Sequence, residues 1–314
     1  MKKQYERVPI RDGYGRALLA LGEQNPKVVV LDADLATSTR SNWFAARYPH
    51  RFFDMGIAEQ NMINVAAGLS LEGKIPFATT YGVFVCGRAF DQIRNTVCYS
   101  NLNVKIVGSH GGISVGPDGG SHQAIEDIAL MRILPNMKVV VPCDHLQAYK
   151  ATLKATEIEG PVYIRLAREA TETITTKDTE FQFGKAQVLA EGDDAAIFFA
   201  GTIGGEVMKA AQLLQGKNIY PTVINMHTIK PIDKECILKY AKKFGKLITV
   251  EEHLQAGGLG PAVAEVIVKK HPVTVKMIAI YDRFGESGAP EVLLDAFGLS
   301  AEKICSQIQE FIKS

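Results

Sequence analysis

The sequence predicts an α/β protein of two domains, each a mainly parallel sheet flanked by helices. Three observations predict it. Short β-branched apolar runs alternate with helix-length segments, the pattern of parallel strands joined by right-handed crossovers. The chain has 314 residues, enough for two domains at about 100–200 residues each. One polar, threonine-rich stretch, REATETITTKDTEFQFG over residues 168–184, interrupts the alternation. It separates a first domain over 1–175, a linker over 176–184 and a second domain over 185–314.

In the first domain, residues 28–31, 104–107, 139–141 and 162–166 read as buried strands: short, β-branched and bounded by Asp, Gly or Pro. After Glu59, the apolar residues Met62, Val65, Ala66 and Leu69 fall on one helix face. Asp144 followed by Gln147 has the form of a capping box. In the second domain, strands are expected at 195–200, 222–225, 247–250 and 273–280. Helices are expected at 205–214, from Asp233, from Pro261 and from about Ala301.

Composition excludes several classes. Lys plus Arg is 35 and Asp plus Glu is 34, so the net charge of +1 argues against a nucleic-acid partner. No apolar run approaches the roughly 18 residues of a membrane span. The start, MKKQYERVPIRDGYG, has no apolar stretch behind its lysines and does not read as a secretory signal. Cys86, Cys98, Cys143, Cys236 and Cys305 are odd in number and lack CxxC spacing, so neither a disulfide framework nor a zinc site is expected, and a cytoplasmic location is.

Three clusters in the first domain could carry chemistry. VLDADLATST runs a strand into a small-polar loop; MGIAEQNM brings Glu59 into an apolar helix; GSHGGISVGPDGGSHQ holds His110, Asp118, His122 and six glycines. A carboxylate among Ile57, Ala58 and Met62 needs a partner, because burying a lone charge is costly. Imidazoles in a glycine-rich loop suit polar recognition near neutral pH. Taken singly, each has a plainer reading. Glu59 is equally a first-turn glutamate favoured by the helix dipole. The two histidines are equally surface loop residues, Phe84 core, and Cys86 and Cys98 small core residues.

Together, in this order, the clusters resemble transketolase, a thiamine diphosphate enzyme, over its pyrimidine-binding and C-terminal domains. The stretches that carry the resemblance are DADLATS, GIAEQNM, TTYGVFVCGRAFDQIR and SHGGISVGPDGGSHQAIEDIALMRILPNM. MHTIKPID, VEEHLQAGGLG and RFGESG are similar to the wider thiamine-enzyme group. The resemblance implies transfer of a two-carbon ketol unit between ketose and aldose sugars, expected to be phosphorylated. It implies that Glu59 hydrogen-bonds the pyrimidine of the cofactor, with an apolar wall raising its pKa. Tyr81 and Phe84 would pack on that ring, with Ile57 and Asp34 nearby. His122 would contact the transferred unit and Asp118 and His110 the sugar. Arg11, Ser38 and Arg168 would grip a phosphate, where a guanidinium can act as a bidentate fork.

The family's Mg²⁺-binding GDG motif is not in this sequence; the nearest string is Gly192-Asp193-Asp194. The resemblance therefore implies that no metal ligand lies on this chain. A separate N-terminal, diphosphate-binding subunit would supply them, in an α₂β₂ assembly containing a homodimer of this chain. Two relatives of the family compete with this reading. Deoxyxylulose-phosphate synthase has an acidic residue where His110 stands, and the 2-oxoacid dehydrogenase beta subunit lacks the His110–Asp118–His122 set. Gln60 and Gly87 depart from the residues many transketolases have there. From another class, Gly258-x-Gly260 with Asp282 faintly resembles a dinucleotide fingerprint, although Val263 stands at its third position. A non-catalytic regulatory subunit is a further alternative, which the presence of Glu59 opposes.

Overall fold

The computed structural model describes residues 5–313. Among them the strands are β1 (Arg7–Pro9), β2 (Val28–Asp32), β3 (Phe52–Asp54), β4 (Ile75–Tyr81), β5 (Lys105–Ser109), β6 (Lys138–Val140), β7 (Val162–Arg165) and β8 (Ala170–Glu172). The second half adds β9 (Gln187–Ala190), β10 (Ala195–Ala200), β11 (Pro221–Asn225), β12 (Thr228–Lys230), β13 (Lys246–Leu254) and β14 (Thr274–Ile280).

Strands β6, β7, β5, β4, β2 and β3 lie side by side, in that order and all parallel. Strand β2 is buried at all five positions, as a sheet covered on both faces requires. The second sheet has the order β14, β13, β10, β11, β9, parallel except for β9 at its edge. One strand crosses over. β12, from the second half, pairs antiparallel with β6 and closes the edge of the first sheet. The same core therefore contains Val139 and Val141 together with Met226, Ile229 and Ile237.

Local rules account for the helices, with three departures from the sequence reading. Asp144 caps the helix His145–Ala155 by accepting the Gln147 N–H at 2.9 Å, a cap worth about 1 kcal/mol. The box is only half formed, because Gln147 Oε1 accepts from the Cys143 N–H instead of the cap residue's own. The polar stretch 168–184 is not without structure: β8 pairs antiparallel with β1 over Arg7–Pro9. Pro261 does not open its helix. The helix Leu259–Lys270 starts two residues earlier, because the buried Glu251 carboxylate accepts the N–H groups of Leu259 (2.6 Å) and Gly260 (2.8 Å). That carboxylate fills the helix end where a dinucleotide would need its phosphates, so the Gly258-x-Gly260 fingerprint is not a nucleotide site. Burial raises the Glu251 pKa to about 7.

All five cysteines are free. No helix among the described residues is long and apolar enough to cross a membrane.

Candidate active site

Parallel α/β sheets present ligand-binding groups at the carboxyl ends of their strands, and the singled-out residues leave from those ends. β2 leads to Asp34 and Ser38, β3 to Ile57 and Glu59, and β4 to Tyr81 and Phe84. β5 leads to His110, Asp118 and His122, and β7 to Arg168. Arg11 sits in the first turn of the helix Ile10–Gln24, which follows β1.

Glu59 is the first residue of the helix Glu59–Leu71 and is 5% exposed. Met62, Ile63 and Ala66 bury the face below it and fix the helix against the sheet. The wall around the carboxylate is not purely apolar. Ile57 is 75% exposed, and the Arg88 guanidinium takes the facing position, with Nη1 donating to Glu59 Oε1 at 3.0 Å. The same guanidinium lies over the Phe84 ring at 4.2 Å. Phe84 stacks on Tyr81 (centroids 5.6 Å apart), and Tyr81 stacks on His110 (3.7 Å). His122 stands edge-on to both aromatics, 6.2 Å from Tyr81 and 5.4 Å from Phe84. Glu59, Arg88, Phe84, Tyr81 and His110 thus form one continuous line.

The far end of that line is cationic. His110 is 1% exposed, and its Nδ1 shares a hydrogen bond with Ser109 Oγ at 2.9 Å. Burial first, then the charges of Arg11, Arg168 and His122, push its pKa down to about 3, so the imidazole is neutral at physiological pH. Arg11 Nη1 donates to the Ser38 carbonyl at 2.8 Å, while its buried Nε has no partner among the described residues. Burial and the nearby Arg40 lower the Arg11 pKa. Arg168 donates to the Val115 carbonyl (2.9 Å) and to Asp118 (3.3 Å). Asp34 is exposed on the β2 loop, where its N–H donates to Asp54 at 3.2 Å.

Three residues that the sequence reading passes over organise this site. Asp32, not Asp34, is the buried acid of the first cluster. It accepts from the Leu35 N–H and from the hydroxyls of Thr39 and Ser41, and burial raises its pKa to about 6. Arg40 pairs with Asp12 at 2.7 Å and adds to the positive field. Arg88 holds Glu59. The strand-end position of Asp32 was a visible signal; a partner 29 residues away in sequence was not.

Chemically, the arrangement suits a flat nitrogen heterocycle. The Arg88 guanidinium demonstrates that a planar, N–H-bearing group can lie against Phe84 and reach the Glu59 carboxylate, and an aminopyrimidine is such a group. The Mg²⁺ that would accompany a diphosphate has no comparable cradle: among the described residues no group of three or more His, Cys, Asp or Glu could hold a metal.

Comparison with known proteins gives the family. The family model for the transketolase pyrimidine-binding domain matches residues 6–173, and that for the transketolase C-terminal domain matches residues 184–304. A putative transketolase C-terminal section from Methanocaldococcus jannaschii is 46% identical over 97% of this chain and 96% of its own length. A 6-deoxy-6-sulfo-D-fructose transketolase subunit from Clostridium sp. is 40% identical over 96% of this chain and 94% of its own length. A solved structure described as a split-gene transketolase in an inactive beta4 tetramer superposes with a TM-score of 0.91. It is 48% identical and covers 98% of this chain and 99% of that one.

Proposed function

This chain belongs to the transketolase family, and on that premise we propose that it is the beta-type subunit of a split, thiamine diphosphate-dependent transketolase. It moves a two-carbon ketol unit from a ketose to an aldose, and acts with a second subunit that brings the diphosphate and Mg²⁺ ligands. The observation that carries the reading is the line from the buried Glu59 through Phe84 and Tyr81 to the neutral His110, set across the strand carboxyl ends. The exposure of Ile57 beside Glu59 supports a second polypeptide covering that face. So does the near-complete coverage of two relatives described as a section and a subunit. An α₂β₂ stoichiometry and a division of the domains at 176–184 belong to the same proposal.

When bound, the cofactor supplies the electron sink for cleaving the ketose carbon–carbon bond. The chain's own residues do the rest. Glu59 would hydrogen-bond the pyrimidine ring nitrogen of the cofactor. Phe84 and Tyr81 would pack on that ring, with Ile57 and Asp34 nearby. His110, with Nδ1 engaged by Ser109, offers Nε2 to a sugar hydroxyl without carrying charge. His122, edge-on to the stack, would contact the transferred two-carbon unit. Asp118 accepts from a sugar hydroxyl. Arg11, Arg168 and the carbonyl-bonded Ser38 loop bind the terminal phosphate, and the field that keeps His110 neutral attracts that anion.

The test is ketol transfer by the chain mixed with its diphosphate-binding partner, thiamine diphosphate and Mg²⁺. Glu59→Gln is expected to lower turnover by about 10²–10⁴-fold with the far-ultraviolet circular dichroism unchanged. Full activity in the Gln variant would remove the assigned role.

A further inference from the structure

The loop that carries His110, Asp118 and His122 is gripped from outside its own domain. Its first turn, Ile113–Asp118, begins against the carboxylate of Glu252, a residue of β13. Glu252 Oε1 accepts the Ser114 N–H at 2.6 Å. Gly112, at φ +93°, passes so close that a Cβ there would stand 2.3 Å from Glu252 Oε1. Further along, a Cβ on Gly120 would stand 2.7 Å from the Gly285 carbonyl oxygen. Gln123 joins the two halves directly, donating to the Ile113 carbonyl and to the Glu286 carbonyl, each at 3.0 Å. Behind the loop, the buried Arg165 donates to the carbonyls of Ala124 (2.9 Å) and Glu252 (3.1 Å).

These contacts reach the site. The Val115 carbonyl, inside the gripped turn, is the acceptor that holds Arg168, and Asp118 at the end of that turn is its ion-pair partner. His110 and His122 bracket the turn. Gly112, Gly116, Gly119 and Gly120 therefore serve close approach to the C-terminal half.

We propose that Glu252, together with the segment 285–288, is a positioning clamp through which the C-terminal half fixes the sugar-binding loop. This deepens the function proposed above and rests on it for the identity of the substrate. The clamp makes a specific split: among the described residues no hydrogen bond or ion pair joins Glu252 to the Glu59–Phe84 end, so it tunes sugar recognition and leaves cofactor binding alone. A glutamine at 252 has one acceptor oxygen, and its amide group turns donors toward donors. Loss of a buried, charge-assisted hydrogen bond corresponds to about a 10- to 100-fold change in an opening equilibrium.

The experiment has two arms. In the first, amide hydrogen exchange is followed by mass spectrometry on the full chain alone, comparing wild type, Glu252→Gln and Gly120→Ala. The expected result is exchange over 110–122 accelerated about 10- to 100-fold, with the peptide over 59–71 unchanged. Gly120→Ala pushes the loop off Gly285 without touching the carboxylate, so it tests the clamp should the Gln variant not fold. In the second arm, the variants are assayed in the reconstituted enzyme. A raised KM for the ketose with an unchanged Kd for thiamine diphosphate is expected. Unchanged loop exchange, exchange that rises equally in both domains, or a freed loop with wild-type sugar KM would each overturn the proposal. If wild-type reconstituted enzyme transfers no ketol unit, the functional reading fails, while the exchange arm still decides the mechanical one.

Discussion

The two ends of the candidate site are built in opposite ways. At the sugar end, the first part of the loop over 110–122 is buried by its own chain: Gln123, Glu252 and Arg168 satisfy backbone groups of Ile113, Ser114 and Val115. At the Glu59 end the floor is equally firm, but the upper surface is open. Ile57 is 75% exposed beside a carboxylate that is 5% exposed, and the side chain reaching it, Arg88, is itself mostly in solvent. A buried acid next to an uncovered isoleucine makes this the more open end of the site. The contrast teaches which face the proposed second polypeptide would cover: one end is completed within the chain, and the other is the end the proposal assigns to a partner.

Breaking the finished end should have the largest effect on stability. Asp127 is 1% exposed and binds Arg165 (2.9 Å) and the Tyr163 hydroxyl (2.6 Å) behind the loop. Asp127→Ala strands a buried guanidinium and is expected to cost about 3–5 kcal/mol in urea unfolding. A loss below about 1 kcal/mol would mean that this pair is no more than a surface ion pair. At the open end the converse holds. Ile57→Ser should change the stability of the isolated chain by no more than about 0.5 kcal/mol, while weakening assembly with the partner in analytical ultracentrifugation. Unimpaired assembly would place the interface elsewhere.

Two smaller effects sharpen the contrast. Arg88→Ala removes the guanidinium that touches Glu59. Because that ion pair is half in solvent, the expected cost to folding is within about 1 kcal/mol, with a measurable change in thiamine diphosphate Kd in the assembled enzyme. His110 reports the sealed end by its titration. Its folded pKa, about 3, lies below the ordinary histidine value, so the unfolded chain binds its proton first. Its contribution to stability is complete above pH about 6.5 and is lost as the pH falls toward about 3. His110→Asn should therefore flatten part of the acid limb of the Tm–pH profile. An NMR titration of the His110 ring midway near 6.5 would contradict its burial among cations.

What the sequence made legible follows from range. Strands β2, β5, β6 and β7 are buried on both faces and stand out as β-branched runs. β4 does not, because Pro76 near its start and Thr79 and Thr80 within it dilute the apolar signal. The site residues were legible through family-like strings, each local to one strand end. Their partners were not: Arg88 lies 29 positions from Glu59, and Glu252 lies 138 from Ser114. The full burial of β2 also removes the alternation that would have ranked Asp32 above Asp34. Strand β12 could not be assigned to the first sheet, since three residues carry no record of which edge they will cover.

The central claim is that the Glu59 face of this chain becomes an active site only against a second polypeptide. The direct measurement is a titration of the chain with the diphosphate-binding subunit at saturating thiamine diphosphate and Mg²⁺, following ketol transfer. The account predicts no turnover from the chain alone and a rise that saturates at one partner per chain; robust turnover from the purified chain without any partner would contradict it.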